Sequence, residues 1–342
     1  MKKIFVLLLL GLLVVMPVSA AFAARTVRVG VSIYRFDDNF MTLYREEIQR
    51  YFASLNSDEI KYNVAITDPN TGRRMYGELT IPGVNYEVTI TDGRGDMMEQ
   101  TNQVDNFIAQ GMDVMIINLV QSSSAEAVTD KARAADIPVV YINREPSAED
   151  MQSWEKICYV GADARQSGTY QGEIVVNLPD RGDADGDGVV RYVMIMGDPE
   201  NVDAQYRTEF SIKALTDAGI EVENLFQQRG DWEQARGREL AANALAQFGD
   251  KIDIIFCNND GMALGAYQAI VEAGRTVNED IYLLGVDALD EVVEMVRNGE
   301  MTGTVLNDHI GQSHAAVDAA IRYVNDELND TYIWVDYQMV TE

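Results

Sequence analysis

An α/β fold of two doubly wound parallel-sheet lobes is what the sequence predicts, on three observations. Short β-rich runs alternate with longer helical ones from end to end. Most of the strand runs are near-continuous apolar blocks, as strands covered by helices on both faces require. The runs also fall into two series, about Val27–Tyr159 and Val190–Thr304, whose strands end in hydrogen-bonding residues.

The first series opens with VRVGVSI (Val27–Ile33), followed by a helical stretch over about Asn39–Ala53. DVMIINLV (Asp113–Val120) precedes the helical SSAEAVTDKARAA, and IPVVYI (Ile137–Ile142) follows it. VRYVMIM (Val190–Met196), IDIIFC (Ile252–Cys257) and IYLLGV (Ile281–Val286) continue the pattern in the second series. The stretch Asp58–Asp96 breaks the rhythm. There KYNVAITDPN and GVNYEVTI, separated by TGRRMYGELTIP, read as an extended hairpin inserted where a simple βα unit needs one strand. A surface ornament is the expectation for it, ahead of a contact surface.

Residues 1–24 have two lysines, an apolar run of secretory length and an A-F-A ending that suits signal-peptide cleavage. A single membrane anchor is the alternative, disfavoured because small residues and no positive flank follow the apolar run. No cysteine near the cleavage region offers a lipid anchor, so a periplasmic or secreted protein is expected. The chain has 27 basic and 55 acidic residues, a net charge of -28. That balance repels nucleic acid and anionic membrane faces, and solubility alone accounts for it. Cys158 and Cys257 stand in separate apolar runs, ICYV and IIFC, and read as two buried thiols, although an oxidising compartment would allow them to pair. His309 and His314 are the only histidines, which argues against a His-based triad or zinc site.

In an open parallel sheet, ligands bind beyond the carboxyl ends of the strands. Here those ends carry Asp37, Asp38 and Asn39; Asn118; Asn143; Asp203; Asn258, Asn259 and Asp260; Asp287; and Asn307 with Asp308. Two sheets facing each other would place both sets around one ligand. The set is rich in Asp and Asn, poor in Lys, and lacks a Gly-rich phosphate cradle. Carboxylates accept hydrogen bonds and amides both donate and accept, which suits the neutral hydroxyls of a sugar. The apolar faces of a sugar ring need aromatic partners, and Phe40 and Trp232 offer one from each series. Trp232, set among Asp231, Glu233 and Gln234, is the less easily explained as core. Asp203 and Arg207, four apart on one helix face, either form a solvated pair or face the crevice together. DADGDG (Asp183–Gly188) matches the start of a calcium loop, with Asp183, Asp185 and Asp187 as side-chain ligands and the Val189 carbonyl as a further one. Met194 stands where that motif places its closing Glu.

YRFDDNF, INLV, INREP, YVGAD, VDAQYRT, NNDGMALGA, GVDAL and GTVLND occur in an order that resembles the periplasmic galactose/glucose-binding protein family, the type I solute-binding proteins of ABC sugar transporters. The resemblance covers nearly the whole chain after residue 24. It implies lobes joined by a three-segment hinge, with crossings near Tyr159–Gly161, Asn307–His309 and Asn329–Tyr332. The N-terminal lobe would be residues 25–160 plus 308–329, with an insertion at about 58–96, and the C-terminal lobe 161–307 plus 330–342. Carried over motif by motif, it implies sugar contacts from Asp38, Phe40 and Asn118 on one lobe. From the other come Asp203, Arg207, Trp232, Asn259 and Asp287, with Asn307 near a hinge. The family's ligand histidine is replaced by Asn201, within GDPENVDAQYR where the family has GEPGHPDAEAR. For the calcium loop, the resemblance implies a closing ligand from Asp253 in place of Glu, and Arg191 stands where a side-chain oxygen ligand is normal.

The function expected is that of a periplasmic protein that captures a neutral hexose, glucose or galactose, as a monomer, and delivers it to an ABC transporter permease. The resemblance further allows docking to a chemoreceptor. A carbohydrate-active enzyme is the alternative, since paired carboxylates in a sugar cleft resemble a glycosidase; against it, no acid lies in an obvious apolar pocket that would raise its pKa. A sensor-only protein is a further alternative. A sugar-responsive transcription regulator fails on the leader and on the lack of a basic helix-turn-helix segment.

Overall fold

The computed structural model describes residues 24–67 and 74–341, with side chains described outside 62–80. The expected leader, but for Ala24, lies outside the described residues. Among those residues no helix is long and apolar enough to cross a membrane. The chain divides into a small unit, 56–85 with the residues up to Thr26, and a large one formed by Val27–Leu55 and the chain from Tyr86 on.

The elements follow in chain order. Strand β1 (Arg25–Ile33) leads to helix α1 (Asn39–Leu55), then to the antiparallel pair β2 (Glu59–Thr67) and β3 (Arg74–Pro82). Next come β4 (Val84–Asp92), α2 (Met97–Ala109), β5 (Val114–Ile117), α3 (Ala125–Ala135), β6 (Val139–Ile142), the single turn α4 (Ala148–Met151) and β7 (Ile157–Gly161). The second half holds α5 (Ala164–Val176), β8 (Val190–Met196), α6 (Val202–Asp217), β9 (Val222–Arg229), α7 (Gln234–Phe248), β10 (Ile254–Cys257), α8 (Asp260–Glu272), β11 (Tyr282–Leu284), α9 (Asp290–Arg297) and β12 (Thr304–Leu306). The chain ends with α10 (His309–Val324), β13 (Tyr332–Trp334) and β14 (Gln338–Val340).

Two parallel sheets organise the large unit. One runs β13-β7-β6-β5-β1-β4, the other β11-β10-β8-β9. β5, β6, β7 and β10 are buried along their whole length, as the apolar blocks predict. The chain reverses its direction across the first sheet at β1, which lies between β4 and β5, and across the second at β8, between β9 and β10. Such reversals open a crevice at the carboxyl ends of the strands.

Three features depart from the expected organisation. The insertion is shorter than 58–96: its hairpin is β2 with β3, while GVNYEVTI forms β4, an edge strand of the main sheet. β9 is an edge strand too polar and too exposed, VENLFQQR, to show as an apolar block. Most consequential, β13 pairs in parallel with β7, Tyr332 beside Tyr159 and Trp334 beside Gly161. The third crossing is therefore not at Asn329–Tyr332. The chain leaves the first sheet after Val335, whose N–H donates to the Gly161 carbonyl, and β14 then pairs antiparallel with β12. Cys158 and Cys257 are both free and buried, one in each sheet.

Candidate functional site

The residues at the strand ends do two jobs, and the first is to start helices. Asp38 Oδ1 accepts from the Met41 N–H at 2.8 Å, Asn201 Oδ1 from Asp203 at 2.9 Å, and Asn259 Oδ1 from Met262 at 3.0 Å. A side-chain oxygen satisfies an orphan N–H of the first turn, and the other polar atom can serve elsewhere, as Asn259 Nδ2 does in donating to the Trp232 carbonyl at 3.2 Å. In Asn258-Asn259-Asp260 the three side chains part company. Asn258 is spent inside, accepting from Gly197 N–H and exchanging hydrogen bonds with Thr208; Asp260 accepts from the Thr304 hydroxyl and the Leu289 N–H. Only Asn259 reaches the crevice.

That crevice closes on a polar cavity of about 30 Å3, lined from both sides. One wall comes from the ends of β1 and β6: Tyr34, Asp38, Phe40, Met41, Asn143 and Arg144. Tyr34 Oη donates to Asp38 Oδ2 at 2.6 Å, and the Arg144 guanidinium lies over the Tyr34 ring, 3.9 Å from its centroid, while donating to the Val120 carbonyl. The facing wall brings Asn201, Asp203 and Arg207 from α6 and its cap, Trp232 from the β9–α7 turn, Asn259, Asp287 and Asn307. Arg207 is fixed by donating to the Asn258 carbonyl at 2.7 Å and to Tyr337 Oη at 3.0 Å, with Asp287 at 3.8 Å and Asp203 at 3.9 Å. Asn307 donates to Asp287 Oδ1 at 3.2 Å and accepts from Gln312 at 2.6 Å. Asn143, Trp232 and Asp287 all stand at positive φ, 61°, 68° and 122°.

The electrostatics follow from burial. Three carboxylates, Asp38, Asp203 and Asp287, face two guanidiniums, Arg144 and Arg207. Burial pushes the Asp203 carboxyl up to about 6, against the pull of Arg207 and Arg144. Asp287 is raised well above its ordinary range by the same cause, with Arg207 opposing. Burial also works against the Arg207 charge, but Tyr337, Asp287 and Asp203 outweigh it and hold its pKa above the ordinary value. Nε of both Arg144 and Arg207 is buried without a protein partner. The expectation that no acid here is raised therefore fails for Asp203 and Asp287; the cause is enclosure in the cavity, which depends on tertiary structure. Chemically, the lining offers acceptors and donors in alternation, enclosed and fixed, with Phe40 and Trp232 as flat apolar surfaces.

Every ligand residue expected from the sequence lines this cavity except Asn118. Asn118 is fully buried behind the first wall, accepting from the Tyr34 N–H at 3.1 Å and donating to the Ile142 carbonyl and to Asn143 Oδ1 at 3.2 and 3.1 Å. Its capacity is used up in positioning Tyr34 and Asn143, and Asn143 supplies the amide that faces inward. Tyr34, Met41, Asn143 and Arg144 are the cavity residues missing from the expected ligand set. Asn143 carried a signal as a strand-end amide, and Arg144 follows it in INREP, a segment of the resemblance from which no ligand role was carried over.

The expected calcium loop lies away from the cavity, between α5 and β8. Carboxylate oxygens of Asp183, Asp185 and Asp187 come within 4.8 Å of one another. The residues present do not fit a calcium ion, because Arg191 Nη1 stands 2.8 Å from Asp187 Oδ2 and 3.7 Å from Asp185 Oδ2. Asp253 accepts from the Ala184 and Arg191 N–H groups, one on each oxygen, and Val189 donates its N–H to Asp187.

A family model described as a periplasmic binding protein domain matches residues 78–328. The chain is 34% identical over 303 residues to the D-galactose/methyl-galactoside binding periplasmic protein MglB of Haemophilus influenzae, covering 87% of this chain and 82% of that one. It is 31% identical over 343 residues to a Rhizobium meliloti protein named as a rhizopine-binding candidate, covering 100% and 97%. Among solved structures, an ABC transporter solute binding protein from Bacillus halodurans C-125 with bound myo-inositol superposes with a TM-score of 0.75 at 25% identity, over 94% of this chain and 96% of that one. The two parallel sheets, their reversals at β1 and β8 and the cavity between them thus have a shared architecture behind them, and the chain belongs to the periplasmic binding protein family, with the type I fold.

Proposed function

We propose that this protein captures one neutral monosaccharide in the periplasm, glucose or galactose, and delivers it as a monomer to the membrane permease of an ABC transporter. The observation that carries this is the cavity lining: carboxylates, amides and two guanidiniums from both lobes, converging with Phe40 and Trp232 on one enclosed space. Similarity to the MglB protein supports a hexose. Binding draws the lobes together about the three crossings, and the closed form is what the permease recognises. A chemoreceptor is a second partner that the resemblance implies. Turnover is not part of the proposal, since Asp38 accepts from Tyr34 and Met41, Asp287 accepts from Asn307, and Asp203 lies beside Arg207.

A cyclitol such as myo-inositol is the second reading. It is supported by the similarity to the Bacillus halodurans solute binding protein with bound myo-inositol and by Asn201, whose Oδ1 is committed to its cap and leaves only Nδ2 for a ligand hydroxyl. A panel of hexoses, pentoses, cyclitols and one uronic acid, read by the thermal midpoint of the mature protein, tests both. A ligand that binds only the native state at a hundred times its Kd adds about 2.7 kcal/mol of stability, a shift of several degrees. A rise with glucose or galactose supports the first reading and a rise with a cyclitol alone the second. No rise with any neutral polyol, or hydrolysis of a hexoside, overturns the proposal.

A further inference from the structure

The loop Asp183–Gly188 is wound around its own carboxylates. Asp183 accepts from the N–H groups of Gly186 and Asp187 through Oδ1, at 2.9 and 3.1 Å, and of Gly188 through Oδ2 at 3.0 Å. Gly186 and Gly188 stand at φ 75° and 97°, where a side chain would be strained. Three carboxylates held this close repel one another unless a cation lies among them. Asp187 is nevertheless held below the usual carboxylate range, first by the hydrogen bond from Arg191 and then by the Val189 N–H.

The cation is in the chain. Arg191 lies one residue into β8, and its guanidinium is oriented from both sides: Nη1 toward Asp187 and Asp185, Nε to Glu223 on β9 at 3.0 Å. Its backbone is fixed as well, since its N–H donates to Asp253 Oδ2 at 2.7 Å, while the other oxygen of Asp253 accepts from Ala184 at 3.2 Å. Asp253 thereby ties the loop to the start of β8 with neutral donors. A calcium ion takes six to eight oxygens. Here it would have to draw two of them from under a guanidinium of like charge.

We propose that the Arg191 guanidinium is the resident cation of this loop, standing where a metal ion would otherwise sit, so that the second lobe folds without calcium. The test uses thermal unfolding of the mature protein, wild type and Arg191→Gln, each in chelator and in millimolar calcium chloride. The wild-type midpoint is expected to differ by less than about 1 °C between the two conditions. Arg191→Gln is expected to melt at least about 3 °C lower than wild type in chelator and to recover most of that in calcium. A wild-type midpoint that climbs by several degrees with calcium overturns the proposal, whatever the variant does. So does a variant as stable as wild type in chelator, or one that calcium leaves unchanged.

Discussion

Asp203 shows what the cavity costs the free protein. Its folded pKa, about 6, lies above the ordinary value of 3.8, so the native state binds the extra proton between those limits. Stability from that proton is fully present below about pH 4 and is lost as pH rises through about 6, a cost on the order of 3 kcal/mol at neutral pH. Asp203→Asn should therefore raise the thermal midpoint of the ligand-free protein at pH 7 more than at pH 4, and should lose ligand binding. A midpoint gain equal at both pH values would show that the burial of the charge is not the cause. Ligand hydroxyls donating to Asp203 favour its ionised form, so wild-type affinity is expected to increase between pH 5 and 7. Trp232 illustrates a different residue-scale demand. It occupies positive φ, uncommon for a bulky residue, and a Cβ on Gly197 would fall 2.1 Å from its ring. Gly197→Ala is expected to displace the ring and weaken binding at least tenfold, with the far-ultraviolet dichroism unchanged; undiminished affinity in calorimetry would dismiss the stacking role. Trp232 was legible in the sequence because an indole among Asp231, Glu233 and Gln234 has no apolar run beside it, although in the structure it is partly buried against the core of the second sheet. Its positive φ was not legible, and neither were those of Asn143 and Asp287, because such conformations are imposed by the surrounding structure.

At the scale of elements, the cavity is an outcome of how strands hand over to helices. Asx residues at the ends of parallel strands are selected twice, once as caps and once as ligands, which is why the strand-end pattern pointed to the right crevice. It failed at Asn118 because side chains alternate sides along an extended chain, and the local sequence does not say whether the strand's last residue points outward or back. The structure separates the two roles. Asn118→Ala strips a buried acceptor from the Tyr34 N–H and is expected to cost about 1–3 kcal/mol of stability in urea unfolding as well as affinity. Asn143→Ala should lose affinity with a stability loss below about 1 kcal/mol, as its amide Nδ2 faces the cavity. If Asn143→Ala proves the more destabilising of the two, the assignment of a positioning role to Asn118 is wrong. The same scale explains β9 and β13. An exposed edge strand such as VENLFQQR has no apolar block, and the three-residue β13 becomes a strand only because β7 offers it an open edge.

For the whole molecule, the question is what keeps the two lobes together once a ligand is inside. The chain passes between the two lobes after β7, after β12 and after β13. The clasp is made by side chains that meet across its mouth. Arg35 from the end of β1 donates to Glu233 beside Trp232 at 3.3 Å, and Gln121, after β5, donates to Glu200, just before α6, at 2.8 Å. Both are partly exposed, so each is worth at most about 1 kcal/mol. They exist only while the walls are together and so act on escape of the ligand more than on its entry. The double variant Arg35→Ala, Gln121→Ala is expected to release ligand about fivefold faster, as about 1 kcal/mol of lost contact predicts, with the association rate and the ligand-free midpoint unchanged. Stopped-flow Trp fluorescence measures both rates. A change confined to association would instead assign these side chains to steering, and an unchanged release rate would leave the cavity contacts alone to hold the lobes closed.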